Sequence, residues 1–553
     1  MPLQLPPWLL HRLGQLSRRP TAKAFAKAAR DPMTAQRERL EAALAQGRGT
    51  AYGRAHGFDA VSGPADYARK VPLMTSTELA SWVDRQLAGE SAVLTKADPV
   101  YFVRTSGSTG TPKHVPITDA YREEFQKTVH VALWHLFRRY PRAFRGRALY
   151  FVGSRRVDEA PSGAGIGTMS GYNFTELPPL VRAIYAWPYE LFEVADLRTR
   201  SFLALWLACL RDVSLIAGIF PAPVVYLLRE LEARAAELAA AIEEGRVPPD
   251  LVLDADQRAF FAAMLPPRPD VARRLRAAIG GPVHGLAKAA MPKLHLVYCW
   301  TDATAGVYIP ELQRRLGPEV VIRDAIYSAC EAWCSIPMGE AEPGGPLAVT
   351  SHYFELVPEA RAEAVDDPRE IAPEAFLTID RVRDGERYYI VPTTSGGLYR
   401  YWLGDVVEVA GFHHRIPRIR FVRKGGAAAN LAGEKLTEAH VNEAAARAFA
   451  AHEVDPTYFV VAPLETAEGS VPGYALHFEG AGDLDALAAT MDEAIRALSF
   501  DYDRLRGAGQ LASLQPRPLP PGTYEAVRGA KVAAGAAEAQ LKIAHLQRTP
   551  FAG

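Results

Sequence analysis

The sequence predicts an α/β protein, with a large multi-sheet N-terminal domain followed by a small α+β C-terminal cap domain. Three observations carry that reading. Short continuous apolar runs, Pro99-Val100-Tyr101-Phe102-Val103, Ala148-Leu149-Tyr150-Phe151-Val152, 213–220 and Leu294-His295-Leu296-Val297-Tyr298, alternate with helical patterns, as in a buried, largely parallel sheet. Beyond residue 420 a strand pattern runs into glycines at Gly425 and Gly426, and two helical stretches then surround a single strand. The chain has 553 residues, enough for several folding units around large cores.

Taken in order, residues 21–95 read as Ala- and Arg-rich helices broken near Gly47-Arg48-Gly49 and Ser62-Gly63-Pro64. The clearest helix follows Pro223. Val224, Leu227, Leu228, Leu231, Ala235, Leu238 and Ile242 recur at three- and four-residue spacing, charges occupy the other faces, and Gly245 supplies the stop. In the C-terminal part, helices are expected at 438–451 and 483–499 around the strand Thr457-Tyr458-Phe459-Val460-Val461, and the proline-rich stretch 516–521 reads as a surface loop. The expected organisation is therefore an N-terminal domain at 1–422, a hinge at 423–426 and a mobile C-terminal domain at 427–553.

Sixty-three Lys+Arg balance sixty-three Asp+Glu, so the totals offer no basic surplus for displacing counterions from a polynucleotide. With 48% apolar and 23% charged residues the chain is not disordered as a whole. Four cysteines cannot staple a chain of this length, which points to a reducing compartment. Cys330 and Cys334 lack a second ligand pair at zinc spacing and read as buried thiols. The N-terminus has no basic region ahead of its short apolar stretch, and the longest uncharged apolar run, 213–228, is interrupted by Pro221 and Pro223 and stops short of the ~18 residues a span needs. A cytoplasmic monomer with no nucleic-acid or membrane partner is expected.

The sharpest local signal is Thr105-Ser106-Gly107-Ser108-Thr109-Gly110-Thr111-Pro112-Lys113, directly after the first strand. Its hydroxyls and glycines leave backbone amides free to wrap an anion, and Lys113 adds a point charge for phosphates, although the spacing is not that of a Walker loop.

This loop resembles the phosphate-binding signature of the acyl-adenylating superfamily. Later segments narrow the resemblance to the GH3 family of acyl acid amido synthetases. They are Tyr308-Ile309-Pro310 with Ile326-Tyr327-Ser328-Ala329-Cys330-Glu331, then Tyr353-Phe354-Glu355-Leu356-Val357-Pro358, Gly397-Leu398-Tyr399-Arg400-Tyr401-Trp402-Leu403-Gly404-Asp405, Phe421-Val422-Arg423, Pro521-Gly522-Thr523-Tyr524 and Gln540-Leu541-Lys542. Order and spacing hold from about residue 35 to 546.

The resemblance implies an N-terminal adenylation domain that uses ATP and Mg2+ to activate a carboxylic acid, and a cap that rotates before an amine, most simply an amino acid, displaces AMP. Ser106, Gly107, Ser108, Thr109, Gly110 and Lys113 would hold phosphates. Tyr327 offers a flat face to adenine and Glu331 a carboxylate to Mg2+; taken alone, the two read as a core tyrosine and a turn carboxylate. Asp405 could accept both ribose hydroxyls or form an Asx turn, and Arg423 would also reach the ribose. Lys542 would bring a cation from the cap to the reacting oxygen. The chain departs from plant members at Thr301-Asp302-Ala303-Thr304-Ala305 and at Ala332, and the acid stays open. Met169, Ser170, Tyr172, Trp300 and Thr304 are the expected acyl pocket. Alternatives in other classes are an acyl-CoA ligase with the same intermediate and a non-catalytic nucleotide-binding homologue.

Overall fold

The computed structural model describes residues 6–105, 113–218, 220–341, 344–365, 367–425, 428–429, 431–432, 434, 436–465, 471–533 and 543–551. The first part is helical, as expected, with helices at Pro7–Ala28, Pro32–Gly47 and Ser76–Leu87. The last starts on a capping box in which Thr75 and Glu78 satisfy each other's free amides.

Strands Arg147–Tyr150, Val213–Ala217, Leu296–Cys299 and Val321–Asp324 lie side by side, all parallel. The helix expected after Pro223 spans Ala222–Glu244 and ends on left-handed Gly245, and all seven residues of its apolar row are buried. It packs with the Leu197–Leu210 helix over Leu149, Ile216 and Val297, so this sheet is buried.

The expectation that all four apolar runs belong to a largely parallel sheet needs correction at the first of them. Strand Tyr101–Thr105 belongs to a separate mixed sheet, pairing antiparallel with Lys113–Ile117 and parallel with Gly165–Gly167. The stretch between its first two strands is too short for a crossover helix, so the chain returns as a hairpin. A third sheet is antiparallel throughout. It orders Tyr353–Pro358, Arg387–Thr393, Asp405–His413, Ile416–Lys424 and Gly345–Pro346.

The C-terminal part has its own core, in which Val441, Phe459, Leu476 and Met491 are fully buried. Helices Glu438–Ala451 and Leu484–Leu498 flank strands Tyr458–Pro463, Tyr474–Glu479 and Gln515–Pro518. The last strand corrects the loop reading at 516–518 and leaves 519–521 as a loop: Pro516 and Pro518 sit on the sheet's edge, where a missing N–H breaks no ladder. This unit docks on the N-terminal part through Arg229, which grips Glu311 with two 2.8 Å hydrogen bonds and donates at 2.7 Å to the Pro456 carbonyl. Among the described residues, no helix is long and apolar enough to cross a membrane.

Candidate active site

The candidate site forms where the parallel sheet meets the antiparallel one. Trp300 directly follows strand Leu296–Cys299, and Tyr327 leaves the end of its neighbour Val321–Asp324. Because Cys299 pairs with Asp324, the two rings emerge side by side at the carboxyl ends of parallel strands, 6.0 Å between centroids and nearly parallel. Phe421, from the antiparallel sheet, stacks on Trp300 at 5.4 Å and completes an aromatic wall.

At that wall sits the buried carboxyl of Asp405, just after the left-handed turn at Gly404. The Tyr327 hydroxyl donates to one of its oxygens at 2.6 Å, and the Lys424 ammonium donates to the other at 2.6 Å. Burial opposes the charge on Lys424, but the facing carboxylate more than offsets it and holds its pKa above the ordinary lysine value. The Tyr327 phenol is driven well above its ordinary value, first by burial and then by the charge of Asp405. Glu331 is half-buried and accepts a long, 3.5 Å hydrogen bond from the Tyr401 hydroxyl.

Arg423 points elsewhere. Successive strand residues face opposite sides, and the pairing of Asp405 with Lys424 places Lys424, not Arg423, on the carboxylate's face. The Arg423 guanidinium donates to Glu359 at 2.6 Å and to Glu363. Next to these residues, Gly425 donates its N–H to the Gly404 carbonyl at 2.6 Å, and a Cβ there would lie 2.2 Å from the Tyr389 ring. Only glycine fits that approach.

Behind the site, two sequence segments meet. Arg400 is fixed in a left-handed conformation (φ 48°) and its buried guanidinium donates to the buried Glu355 carboxylate at 3.0 Å and to the Ala68 and Val71 carbonyls. A strained residue held from so many directions sets the path of the chain through Tyr401 to Asp405.

Of the expected acyl pocket, Met169 and Tyr172 are buried on a helix Met169–Thr175, and Tyr172 stacks on Tyr101 at 4.4 Å. Both share one apolar cluster with Trp300 and Tyr327. The Ser170 hydroxyl is engaged, accepting at 3.1 Å from the Gly153 amide. Lys113 opens the second strand of the hairpin, its backbone paired with Thr105. Ser106, Gly107, Ser108, Thr109, Gly110, Lys542 and the side chain of Thr304 lie outside the described residues. Cys334 is buried, as read from the sequence, whereas Cys330 is only partly buried.

The structure also brings forward residues that sequence reasoning passed over. Lys424 and Phe421 lie close to Arg423 in a segment already noted, but strict alternation would put Phe421 on the face of Arg423, and the irregular pairing between Val406 and Val407 breaks that alternation. Asp302 is another. It lies in the altered 301–305 segment, one of its oxygens is buried without a hydrogen-bond partner, and burial, followed by the charge of Asp324, pushes its pKa up to about 7.

Family models match the chain in sequence as the GH3 family N-terminal domain at residues 21–321, the central domain at 345–424 and the C-terminal domain at 436–550. The chain is 26% identical over 528 residues to an indole-3-acetic acid-amido synthetase, GH3.8, of Oryza sativa subsp. indica, covering 90% of this chain and 86% of the rice protein. It is 24% identical to the jasmonoyl-L-amino acid synthetase JAR6 of Nicotiana attenuata, over 94% of this chain and 91% of that one. Its fold matches the structure of the GH3.15 acyl acid amido synthetase with a TM-score of 0.82 at 20% identity, covering 96% and 94% of the two chains. A 2-hydroxyisobutyryl-CoA ligase bound to its acyl-adenylate shares the fold more distantly, with a TM-score of 0.51 at 13% identity over 94% and 90%. With three consecutive family models spanning most of its length, the chain belongs to the GH3 family.

Proposed function

We propose that the protein is an acyl acid amido synthetase. A carboxylate attacks the α-phosphorus of ATP, giving an acyl-adenylate and pyrophosphate; the amine of an amino acid then attacks the acyl carbon, and AMP leaves as the amide forms. Membership of the GH3 family and curated relatives that are acid-amido synthetases support an enzyme of the adenylate-forming ligase class. The observation that carries the reading is the Tyr327–Asp405–Lys424 constellation against the Trp300 and Phe421 rings, at the carboxyl ends of parallel strands.

Each residue has a physical task in this reading. The aromatic wall gives the purine a flat apolar surface and excludes water. Asp405, held between Lys424 and the Tyr327 hydroxyl, has the acceptor capacity for ribose hydroxyls. Lys424, beside the nucleotide, stabilises negative charge as the two anions approach, and Lys113 with the 106–110 loop engages phosphates. Arg423 serves the site by anchoring its strand to Glu359 and Glu363. Lys542 remains a candidate cation from the cap.

Mg2+ fits this donor set. No cluster of three metal-capable side chains exists among the described residues, but Mg2+ bound with a nucleotide needs only one or two carboxylates besides phosphates, and Glu331 has a carboxylate with a single long hydrogen bond. Glu331 would hold it, and the ion would supply charge neutralisation at the phosphates. A hinge at 423–426 between an N-terminal domain (1–422) and a mobile cap (427–553), a monomeric state and a cytoplasmic location complete the proposal. Met169, Tyr172 and Trp300, which share one apolar cluster, would present an apolar and aromatic surface to the acid.

The test is release of pyrophosphate and AMP from ATP across a matrix of acids and amino acids, with products identified by mass. Acid-dependent pyrophosphate release with amide formation is expected. Thioester in place of amide when coenzyme A and amino acids are both supplied would overturn the acceptor, and no turnover with any acid would overturn the activity.

A further inference from the structure

The N-terminal helix Pro7–Ala28 uses one side to pack on the protein. His11 sits edge-on to Phe144 at 5.1 Å, the Arg18 guanidinium lies over Phe137, and Phe25 is buried against His413. Its other side is open. Trp8, Leu13 and Leu16 are 54%, 49% and 62% exposed, an unusual cluster of large apolar side chains for one helix. Arg12, Arg19 and Lys23 are exposed on the same helix.

The adjacent surface extends this character. The helix Asp119–Arg139 and the turn after it expose Arg138, Arg139, Arg142 and Arg145. Between the two elements runs a groove of about 400 Å3 lined by Trp8, His11, Arg12, Phe137, Phe144 and Arg145. The sequence has no Asp or Glu from residue 1 to 30 or from 138 to 147. None of these exposed cations has a carboxylate partner among the described residues, whereas exposed arginines elsewhere pair readily, as Arg268 does with Asp270 and Arg276 with Glu243.

We infer that this face docks on an anionic phospholipid bilayer. The unpaired arginines supply the attraction to lipid phosphates, and Trp8, Leu13 and Leu16, lying among them, supply apolar surface for the headgroup boundary. That mixture distinguishes a bilayer from a polynucleotide or an acidic protein surface, which would reward the arginines but not three exposed apolar side chains. The lack of a spanning segment has no bearing on it, since a surface of this kind lies on a membrane without crossing it.

The test is co-sedimentation of the full-length protein with unilamellar vesicles of phosphatidylcholine, with and without phosphatidylglycerol. Retention by the anionic vesicles alone is expected, falling roughly tenfold or more as salt rises from about 0.05 to 0.5 M. Two variants on exposed positions should each lose it, Arg12→Gln/Arg138→Gln/Arg142→Gln/Arg145→Gln through charge and Trp8→Ser/Leu13→Ser/Leu16→Ser through insertion, while Arg268→Gln/Arg276→Gln binds like the parent. Circular dichroism verifies that each variant is folded. Failure to bind anionic vesicles, equal binding to neutral ones, undiminished binding by either patch variant, or full competition by soluble glycerol phosphate would overturn the inference.

Discussion

The charges around Asp405 and those around the N-terminal helix are arranged on opposite terms. Asp405 has Lys424 and the Tyr327 hydroxyl, Arg400 has Glu355, and Arg423 has two glutamates. The exposed arginines of the N-terminal face have no carboxylate at all among the described residues. A charge removed from water must find a partner inside the protein, whereas a charge left in water is free to meet one from outside. The whole-chain balance of zero hides this contrast, because it sums a paired interior with an unpaired rim.

The severest way to break the comparison is at its most buried pair. Arg400→Ala leaves the Glu355 carboxylate enclosed and uncompensated, and is expected to cost about 3–5 kcal/mol in chemical denaturation. Arg400→Met with Glu355→Leu should recover much of that loss, since neither charge is then stranded. A cost below 1 kcal/mol for the single change would mean that the pairing is incidental.

The next largest effect distinguishes two adjacent cations. Lys424→Ala is expected to lower kcat/KM for ATP in acid-dependent pyrophosphate release by about 100-fold, because it takes both the counter-charge of Asp405 and a cation beside the nucleotide. Arg423→Ala, on the opposite face, should cost less than about tenfold. The reverse order would return the ribose contact to Arg423.

That pair of residues also marks how far the sequence could be read. Tyr327 and Asp405 stand in segments that the family resemblance singles out, and the structure brings the two side chains together. The helix after Pro223 was legible because its apolar row has one period from end to end. The choice between Arg423 and Lys424 was not, since it depends on the register of two strands joined by a hairpin with irregular pairing between Val406 and Val407. The antiparallel sheet at 345–424 escaped for a related reason: its strands Tyr353–Pro358 and Arg387–Thr393 are buried along nearly their whole length and show no alternation from which partners could be inferred. Proline in 516–521 argued for a loop throughout, but the sheet edge gave Pro516 and Pro518 a place.

A smaller effect comes from Asp302, a carboxyl near the site with one oxygen buried and without a hydrogen-bond partner. Asp302 has a folded-state pKa of about 7 against an ordinary 3.8, so the folded protein binds the extra proton between those values. The stabilisation is fully present below about pH 4 and is lost as the pH rises to about 7, on the order of 2 kcal/mol after allowance for partial exposure. Asp302→Asn should therefore raise the thermal midpoint above the parent's near pH 8 and leave it close to the parent's near pH 4. Equal shifts at both pH values would show that burial does not govern this carboxyl.

The smallest effect lies on the N-terminal face, and its smallness is the point. Arg12→Gln, Arg142→Gln and Arg145→Gln remove exposed charges with no partner to strand, so each should leave the denaturation midpoint unchanged. Combined, they should raise it slightly at low salt by relieving repulsion among like charges, and the gain should fade as salt screens that repulsion. A clear loss of stability instead would mean that these arginines brace the helix against the body of the protein. Their exposure would then serve the fold, and the contrast with the interior pairs would disappear.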